Sequence, residues 1–488
     1  LAMSEYQTQT ISLARGHGIG QEIMDAVLRL LEAADAAIEV DEIKAGREVY
    51  ESGVSSGINP EAWDSIRENR TILKAPITTP QGGGYKSLNV TMRKSLSLYA
   101  NVRPCVAYDP FVGSQFPGMD VTVIRENEED SYSGIEYRNS GEMIEALKFI
   151  SRPGTERICR FAFEYARKHD RRSITCMTKD NILKMSDGLF HRIFEEVAED
   201  YPDIDHDHLI IDIGTARVAA NPTEFDIVLA PNLYGDILSD VTAEQSGSVG
   251  LVGSANIGDE FAMFEAIHGS APDIAGEGIA NPSGLLHGAI MMLDHLGQGK
   301  VANRVHNAWL KTIEDGIHTP DIYKDGRSQK LANTDSFTDA VVERVGEKPR
   351  RFAEADHPDG EPPVKGEIKQ RVPPKRTETK EIVGVDIFLE WCDGTPDDLA
   401  AALQEHEAGK LELDTITNRG MKVWPDGMPE TFVVDHWQCR YMSTGGAREF
   451  SEVLDLSRRL DEAGFDIVKT DNLFEFDGER AFTRGQGE

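Results

Sequence analysis

The chain has 488 residues, with 84 Asp or Glu against 51 Lys or Arg, and a formal net charge of −33. So negative a surface excludes binding to nucleic acid or anionic membrane by bulk charge, and no apolar run approaches the ~20 residues that span a bilayer. The length exceeds what one core supports, which predicts at least two domains plus an appended unit.

In chain order, short β-rich runs alternate with longer helical ones up to about residue 345. "TISLARG" precedes the helical "GQEIMDAVLRLLEAADAA". Strands are predicted at "MDVTVI" (119–124), "SITCMT" (173–178), "HLIIDI" (208–213) and "FDIVLA" (225–230). Strands separated by helices indicate α/β architecture with a largely parallel sheet. Residues 346–380, rich in Pro and charge, read as a linker. Beyond it, "EIVGVDIFLEW", "LELDTITNRGMKVW", "TFVVDHWQCRYM" and "FDIVKT" read as strands, with helices at "TPDDLAAALQEHEAG" and "AREFSEVLDLSRRLDEAG". The order β-α-β-β-α-β predicts a ferredoxin-like α+β domain over 381–488.

The five cysteines, Cys105, Cys159, Cys176, Cys392 and Cys439, show no CxxC spacing, so free thiols in a reducing compartment are expected. The first ten residues have neither a basic n-region nor an apolar h-region, which predicts a cytoplasmic protein.

One stretch departs from the acidic background. Between Asn69 and Tyr108 there is no Asp or Glu, while Arg70, Lys74, Lys86, Arg93, Lys94 and Arg103 all fall there. Guanidinium forks match carboxylates and keep their charge, and Ser87 and Asn89 add neutral hydrogen-bonding groups. The pattern fits a pocket for an anion with several carboxylates, with Lys86, Lys94 and Arg70 read as solvated charges. In "VIRENEEDSYSGIEY", Arg125 stands at a strand end, where side chains of α/β sheets meet ligands, and Tyr132 can serve as a general acid.

The acidic counterpart is "PNLYGDILSD", which sets Asp236 and Asp240 four apart on one helical face. Asp212 follows an apolar run at a strand end. Three carboxylates with no Cys or His at ligand spacing suit a hard ion, Mg²⁺ or Mn²⁺; "DHDH" (205–208) reads as a polar loop. Lys179 follows a strand directly, and close to a metal or other cations such a lysine has a lowered pKa and can serve as base or acid. Taken singly, each of these residues also admits a structural role. "FEAIHGSAPDIAGEGIANPSG" (264–284) is a Gly-, Ala- and Pro-rich loop able to surround an adenosine, yet neither it nor "GHGIG" (16–20) has GxGxxG spacing, so no Rossmann domain is inferred.

Together, "KSLNVTMRKSLSLYANVRP", "VIRENEEDSYSGIEY", "TKDNILKMSDGLF", "NLYGDILSD" and "HGSAPDIAGEGIANP" resemble, in the same order, the isocitrate and isopropylmalate dehydrogenase family from about Thr10 to Val345. The resemblance implies that family's α/β fold, not Rossmann: a large domain (1–98 and 247–345), a small domain (99–131 and 152–246) and a clasp (132–151). The C-terminal unit is similar to an extension of some long bacterial isocitrate dehydrogenases. Ser87 and Asn89 in S-x-N-x-x-x-R imply isocitrate as substrate, its carboxylates held by Arg93, Arg103 and Arg125. The resemblance further implies Asp236, Asp240 and a partner copy's Asp212 as metal ligands, with Lys179 and Asn181 also reaching across a homodimer or tetramer. Lys179 with Asp212 would relay the hydroxyl proton, and Tyr132 would protonate the enol, giving 2-oxoglutarate as in the tricarboxylic acid cycle. Thr79, Asn232, Glu265, His268, Gly269, Ala271 and Asn281 are implied cofactor contacts. Where NADP-using relatives have Lys-Tyr, this chain has Asp273-Ile274, so the expectation is NAD, a carboxylate accepting from the free 2′-hydroxyl and repelling a 2′-phosphate. Two alternatives stay open: isopropylmalate, homoisocitrate or tartrate as substrate, and a regulatory or assembly role for the C-terminal unit. The family's G-D-G-I-G-P-E is replaced by "GHGIGQE", with His17 and Gln21 substituted.

Overall fold

A computed structural model describes residues 6–79, 86–407 and 409–487; residues 80–85, the "PQGGG" stretch after Thr79 among them, lie outside it. The predicted strands join five others in a ten-stranded sheet, in the order 38–42, 9–14, 71–74, 262–266, 253–257, 100–106, 120–126, 227–230, 173–178 and 205–210. The two wings are parallel, and the pairs joining them across the middle are antiparallel. The helix Gly20–Ala33 shows why helices cover this sheet: Ile23, Met24, Val27, Leu30 and Leu31 recur at helical spacing and are buried. Two large apolar clusters form, one around Trp309 and Phe264, another around Phe163 and Phe194. "HLIIDI" is not one strand. The strand Asp205–Ile210 gives way at once to the helix Ile211–Ala220, so Asp212 lies in a first helical turn.

The chain divides into two units, one joining the chain up to Ser133 with Lys148–Ile368, the other joining Gly134–Leu147 with the chain from Lys369. No helix or strand forms between the helix Thr334–Val342 and the strand Lys380–Glu390. Residues 350–352 of that stretch are nonetheless anchored in the first unit, their N–H groups donating to Glu314.

The second unit is a six-stranded antiparallel sheet in the order 421–424, 411–418, 436–443, 380–390, 466–476 and 479–480. Its helices bury Leu399, Leu403, Val453, Leu456 and Leu460 in one core. "TPDD" starts the first of them with a capping box between Thr395 and Asp398. "LELDTITNRGMKVW" folds as a hairpin rather than one strand, because Arg419 and Gly420 both take positive φ, 50° and 79°. A small hairpin, Glu136–Arg138 with Ile144–Ala146, belongs to this unit and is tied by Lys469 Nζ to Glu145 at 2.6 Å. All five cysteines are free. Among the described residues no helix is long and apolar enough to cross a membrane.

Candidate active site

A cleft of about 320 Å³ in the first unit is lined by Ser87, Asn89, Arg93, Arg103, Arg125, Tyr132, Asp236, Asp240, Glu265, His268 and Gly269, together with Lys74. Local sequence explains how each arrives. Ser87 caps the helix Leu88–Ser95, accepting from Val90 N–H, and that helix presents Asn89 and Arg93. Arg103 and Arg125 come from adjacent antiparallel strands. Strand pleating sends Arg103 and Glu265 into the cleft, while Val102, Pro104 and Phe264 on the same strands face the opposite side of the sheet. The helix Asn232–Gln245 sets Asp236 and Asp240 one turn apart. Gly235 is required there, because a Cβ would lie 2.7 Å from the Arg125 side chain.

The charges interlock. Asp236 accepts from Arg125, from Tyr132 Oη and from Arg103, the last at 3.2 Å. Arg103 also donates to Ser239 at 2.5 Å, and Arg125 Nε to Asn232 Oδ1 at 2.9 Å. The Arg125 guanidinium lies 4.7 Å over the Tyr132 ring. Below them, Glu265 joins Lys74 at 2.6 Å and Arg93 at 3.0 Å, with Asn256 donating at 2.8 Å. Neither Lys74 nor Glu265 signals this role in the sequence. Their strands place them directly opposite one another, Lys74 with 1% of its side chain exposed.

Several buried donors have no partner: Arg93 Nε, Arg103 Nε and Arg125 Nη2, with Asn89 Oδ1 an unmatched acceptor. Such atoms await a ligand. Burial, then Arg103 and Arg93, press Arg125 down to about 9, so it stays charged at neutral pH while favouring an added anion. Burial raises Asp236, but Arg125 and Arg103 outweigh it and leave the carboxyl below its ordinary value. Asp240 goes the other way, raised by burial and by Asp236 against the pull of Arg103. Two such carboxylates one helical turn apart fit a hard divalent ion, which would relieve the Asp240 shift.

His268 fits a cofactor. Its Nδ1 faces Gly269 O at 3.0 Å and therefore carries the proton, which leaves a buried, unpartnered Nε2 able to accept from an adenine amino group. Gly269 has open space where a side chain would be. Asn281, by contrast, is already engaged with Asp321 and the Ser283 N–H. Ala271 takes φ 36°, and Ile274 packs partly buried against the core. Thr79 is exposed and donates to Ser87 at 3.3 Å. Asn232 holds Arg125 in place from the buried side. His17 accepts the Thr78 N–H at 3.2 Å.

Lys179, Asn181 and Asp212 do not line this cleft. Lys179 pairs with Asp212 at 3.1 Å, and Asn181 is exposed in the turn after Lys179. Arg70, read as a solvated charge, instead covers the Phe261 ring at 4.8 Å with 14% of its side chain exposed.

The isocitrate/isopropylmalate dehydrogenase family profile matches residues 10–341, and that of the bacterial isocitrate dehydrogenase C-terminal domain matches residues 380–488. The chain belongs to the isocitrate/isopropylmalate dehydrogenase family. An "Isocitrate dehydrogenase [NADP]" of Rickettsia bellii is 51% identical over 98% of this chain and 99% of its own length. A protein of that same description from Thermus thermophilus is 41% identical over 98% and 96%. A crystal structure of a Thermus thermophilus protein superposes with a TM-score of 0.90 at 41% identity, covering 99% of this chain and 96% of its own.

These relatives correct the expectation of NAD: family members that match end to end carry NADP in their names. The physical reason lies at Asp273, which is exposed on its loop. A solvated carboxylate repels a phosphate dianion at 4 Å by only about 2 kcal/mol in bulk water, and salt weakens that further. Asp273 alone therefore does not exclude the 2′-phosphate.

Proposed function

We propose that this family member catalyses the NADP-dependent oxidative decarboxylation of isocitrate to 2-oxoglutarate and CO₂. The observation that carries this reading is the convergence of three guanidinium groups with unpaired N–H donors on one cleft that also holds Asp236 and Asp240. Arg93, Arg103 and Arg125 bind two carboxylates of the substrate, and Ser87 with Asn89 receives the third. The polar pair at 87 and 89 supports isocitrate over the apolar side chain of isopropylmalate. A divalent ion on Asp236 and Asp240, completed by Asp212 of a second copy, would acidify the substrate hydroxyl and withdraw charge as CO₂ departs. His268 and Gly269 would hold the adenosine of NADP, whose nicotinamide would supply the hydride acceptor for C2.

Lys179 of the second copy, paired with Asp212, takes the hydroxyl proton as hydride leaves. The bond to the departing carboxylate then breaks, its electron pair staying on C3, and Tyr132 protonates that carbon. Burial, with Asp236 adding and Arg125 opposing, raises Tyr132 above its ordinary value, so it holds its proton until then. Exposed Ile182, Met185, Ile213 and Ile237 on the elements around Lys179, Asp212 and Asp236 support a subunit contact there.

The test is a spectrophotometric assay of cofactor reduction with isocitrate, isopropylmalate, homoisocitrate and tartrate, with NADP and NAD in turn and a chelator control. Isocitrate-dependent NADP reduction abolished by chelator is expected. A kcat/KM for another substrate equal to that for isocitrate refutes the assignment. For the shared site, mixing inactive Lys179→Met and Tyr132→Phe proteins should restore activity, since a mixed dimer rebuilds one intact site. No restoration after subunit exchange refutes the sharing.

A further inference from the structure

A second cluster lies on the wing of the large sheet. The strand Ser173–Thr178 runs parallel to Asp205–Ile210, with Cys176 opposite His208. The turn after the first strand carries Asp180, and the helix Ser186–Ala198 brings His191 over the same spot. His191 Nδ1 is 2.7 Å from Asp180 Oδ2, and the His191 and His208 rings stack with centroids 3.6 Å apart. One ligand atom of each of Asp180, His191 and His208 lies within 4.8 Å of the others, and all three residues are half-buried. Glu195, one helical turn beyond His191, is 3.6 Å from His191 Nε2 and 3.4 Å from His206 Nε2. None of these residues lines the active-site cleft.

We propose that Asp180, His191 and His208 form a binding site for a borderline divalent cation of the Zn²⁺ class, separate from the carboxylate site of the cleft. Two imidazoles and a carboxylate are the donor set such ions prefer, whereas Mg²⁺ and Mn²⁺ favour oxygen alone. Metal–ligand bonds of about 2.0–2.2 Å put neighbouring tetrahedral ligand atoms roughly 3.3 Å apart. The Asp180–His191 contact of 2.7 Å therefore opens by roughly 0.6 Å, and the stacked rings splay so that their lone pairs converge. Thr178 Oγ1 pairs with His208 Nε2 at 2.8 Å. Such an outer partner orients a ligating ring and leaves its other nitrogen for the ion. Because Lys179 stands between Thr178 and Asp180, a bound cation braces the turn that presents it.

The experiment uses the full chain in excess Mg²⁺ and two probes, Cu²⁺ by electron paramagnetic resonance and Zn²⁺ by calorimetry. Coupling of Cu²⁺ to two nitrogens is expected, a signature that the Asp236–Asp240 carboxylate pair does not produce. His191→Ala and His208→Ala should each remove one coupled nitrogen and weaken Zn²⁺ by about a hundredfold or more, beyond the 10–100-fold that outer partners alone cost. Should His208→Ala unfold, His208→Gln keeps a partner for Thr178 and serves in its place. Absence of Zn²⁺ uptake by the wild type, or spectra and affinity unchanged in the variants, overturns the proposal.

Discussion

Replacing Glu126 with Gln should flatten the dependence of stability on pH. Glu126 is 2% exposed at the end of the strand that carries Arg125, and its carboxyl accepts the N–H groups of Glu128 at 2.7 Å and Glu129 at 3.1 Å. Burial pushes it from 4.5 up to about 8, outweighing those hydrogen bonds. The folded protein thus keeps a proton that the unfolded chain has already released. Stability from this group is complete below about pH 4.5 and is lost as pH rises through about 8. Each pH unit in that interval is worth about 1.4 kcal/mol, so the full loss reaches roughly 5 kcal/mol. In E126Q the amide oxygen still accepts the two N–H groups, and there is no proton to lose. Urea unfolding, followed by tryptophan fluorescence from mildly acidic to mildly alkaline pH, measures the difference. Wild type should lose several kcal/mol relative to E126Q over that range. Parallel curves would refute the protonated carboxyl, and a wild type that gained on the variant would show a carboxylate ionised in the fold.

Glu265→Gln leaves Lys74 and Arg93 without their shared counter-ion and should destabilise the protein by about 3–5 kcal/mol, the usual cost of breaking a buried pair; an unchanged Tm would show that Lys74 reaches water. Arg125→Lys keeps the charge but loses the fork that spans Asn232 and Asp236. Its kcat/KM for isocitrate should fall by about 1.5–3 kcal/mol in transition-state terms, the worth of a charged hydrogen bond, with the KM for NADP unmoved. His268→Phe removes the unpartnered acceptor and should raise the KM for NADP by about 0.5–1.5 kcal/mol in binding terms. Steady-state kinetics with each reactant varied separates the two, and a shift in isocitrate KM for His268→Phe would place that ring elsewhere.

Arg93 and Arg103 are legible in the sequence because an acid-free stretch in so acidic a chain is a contrast that composition alone exposes. Asp236 and Asp240 are legible because helical spacing is local. The Lys74–Glu265 pair is not, since residues 191 positions apart become neighbours only through strand pairing. Asp273 shows the opposite failure: its residue type is plain, but exposure, which sets how strongly a charge acts, depends on the folded loop. The "DHDH" stretch looks like a loop on its own, because its partners Asp180 and His191 sit on other elements. Arg419-Gly420 hides a turn inside what looks like one strand, and Gly235 gives no hint of the arginine passing over it.

The sheet that floors the cleft has two faces made by the same backbone. Swapping Val102 or Phe264 for a larger or smaller residue shifts the strand on which Arg103 or Glu265 is mounted, so substitutions in the greasy layer behind should alter substrate affinity without touching substrate. A survey of activity-changing variants will then trace both sides of these two strands, and repacking the interior becomes a way to retune the site's chemistry.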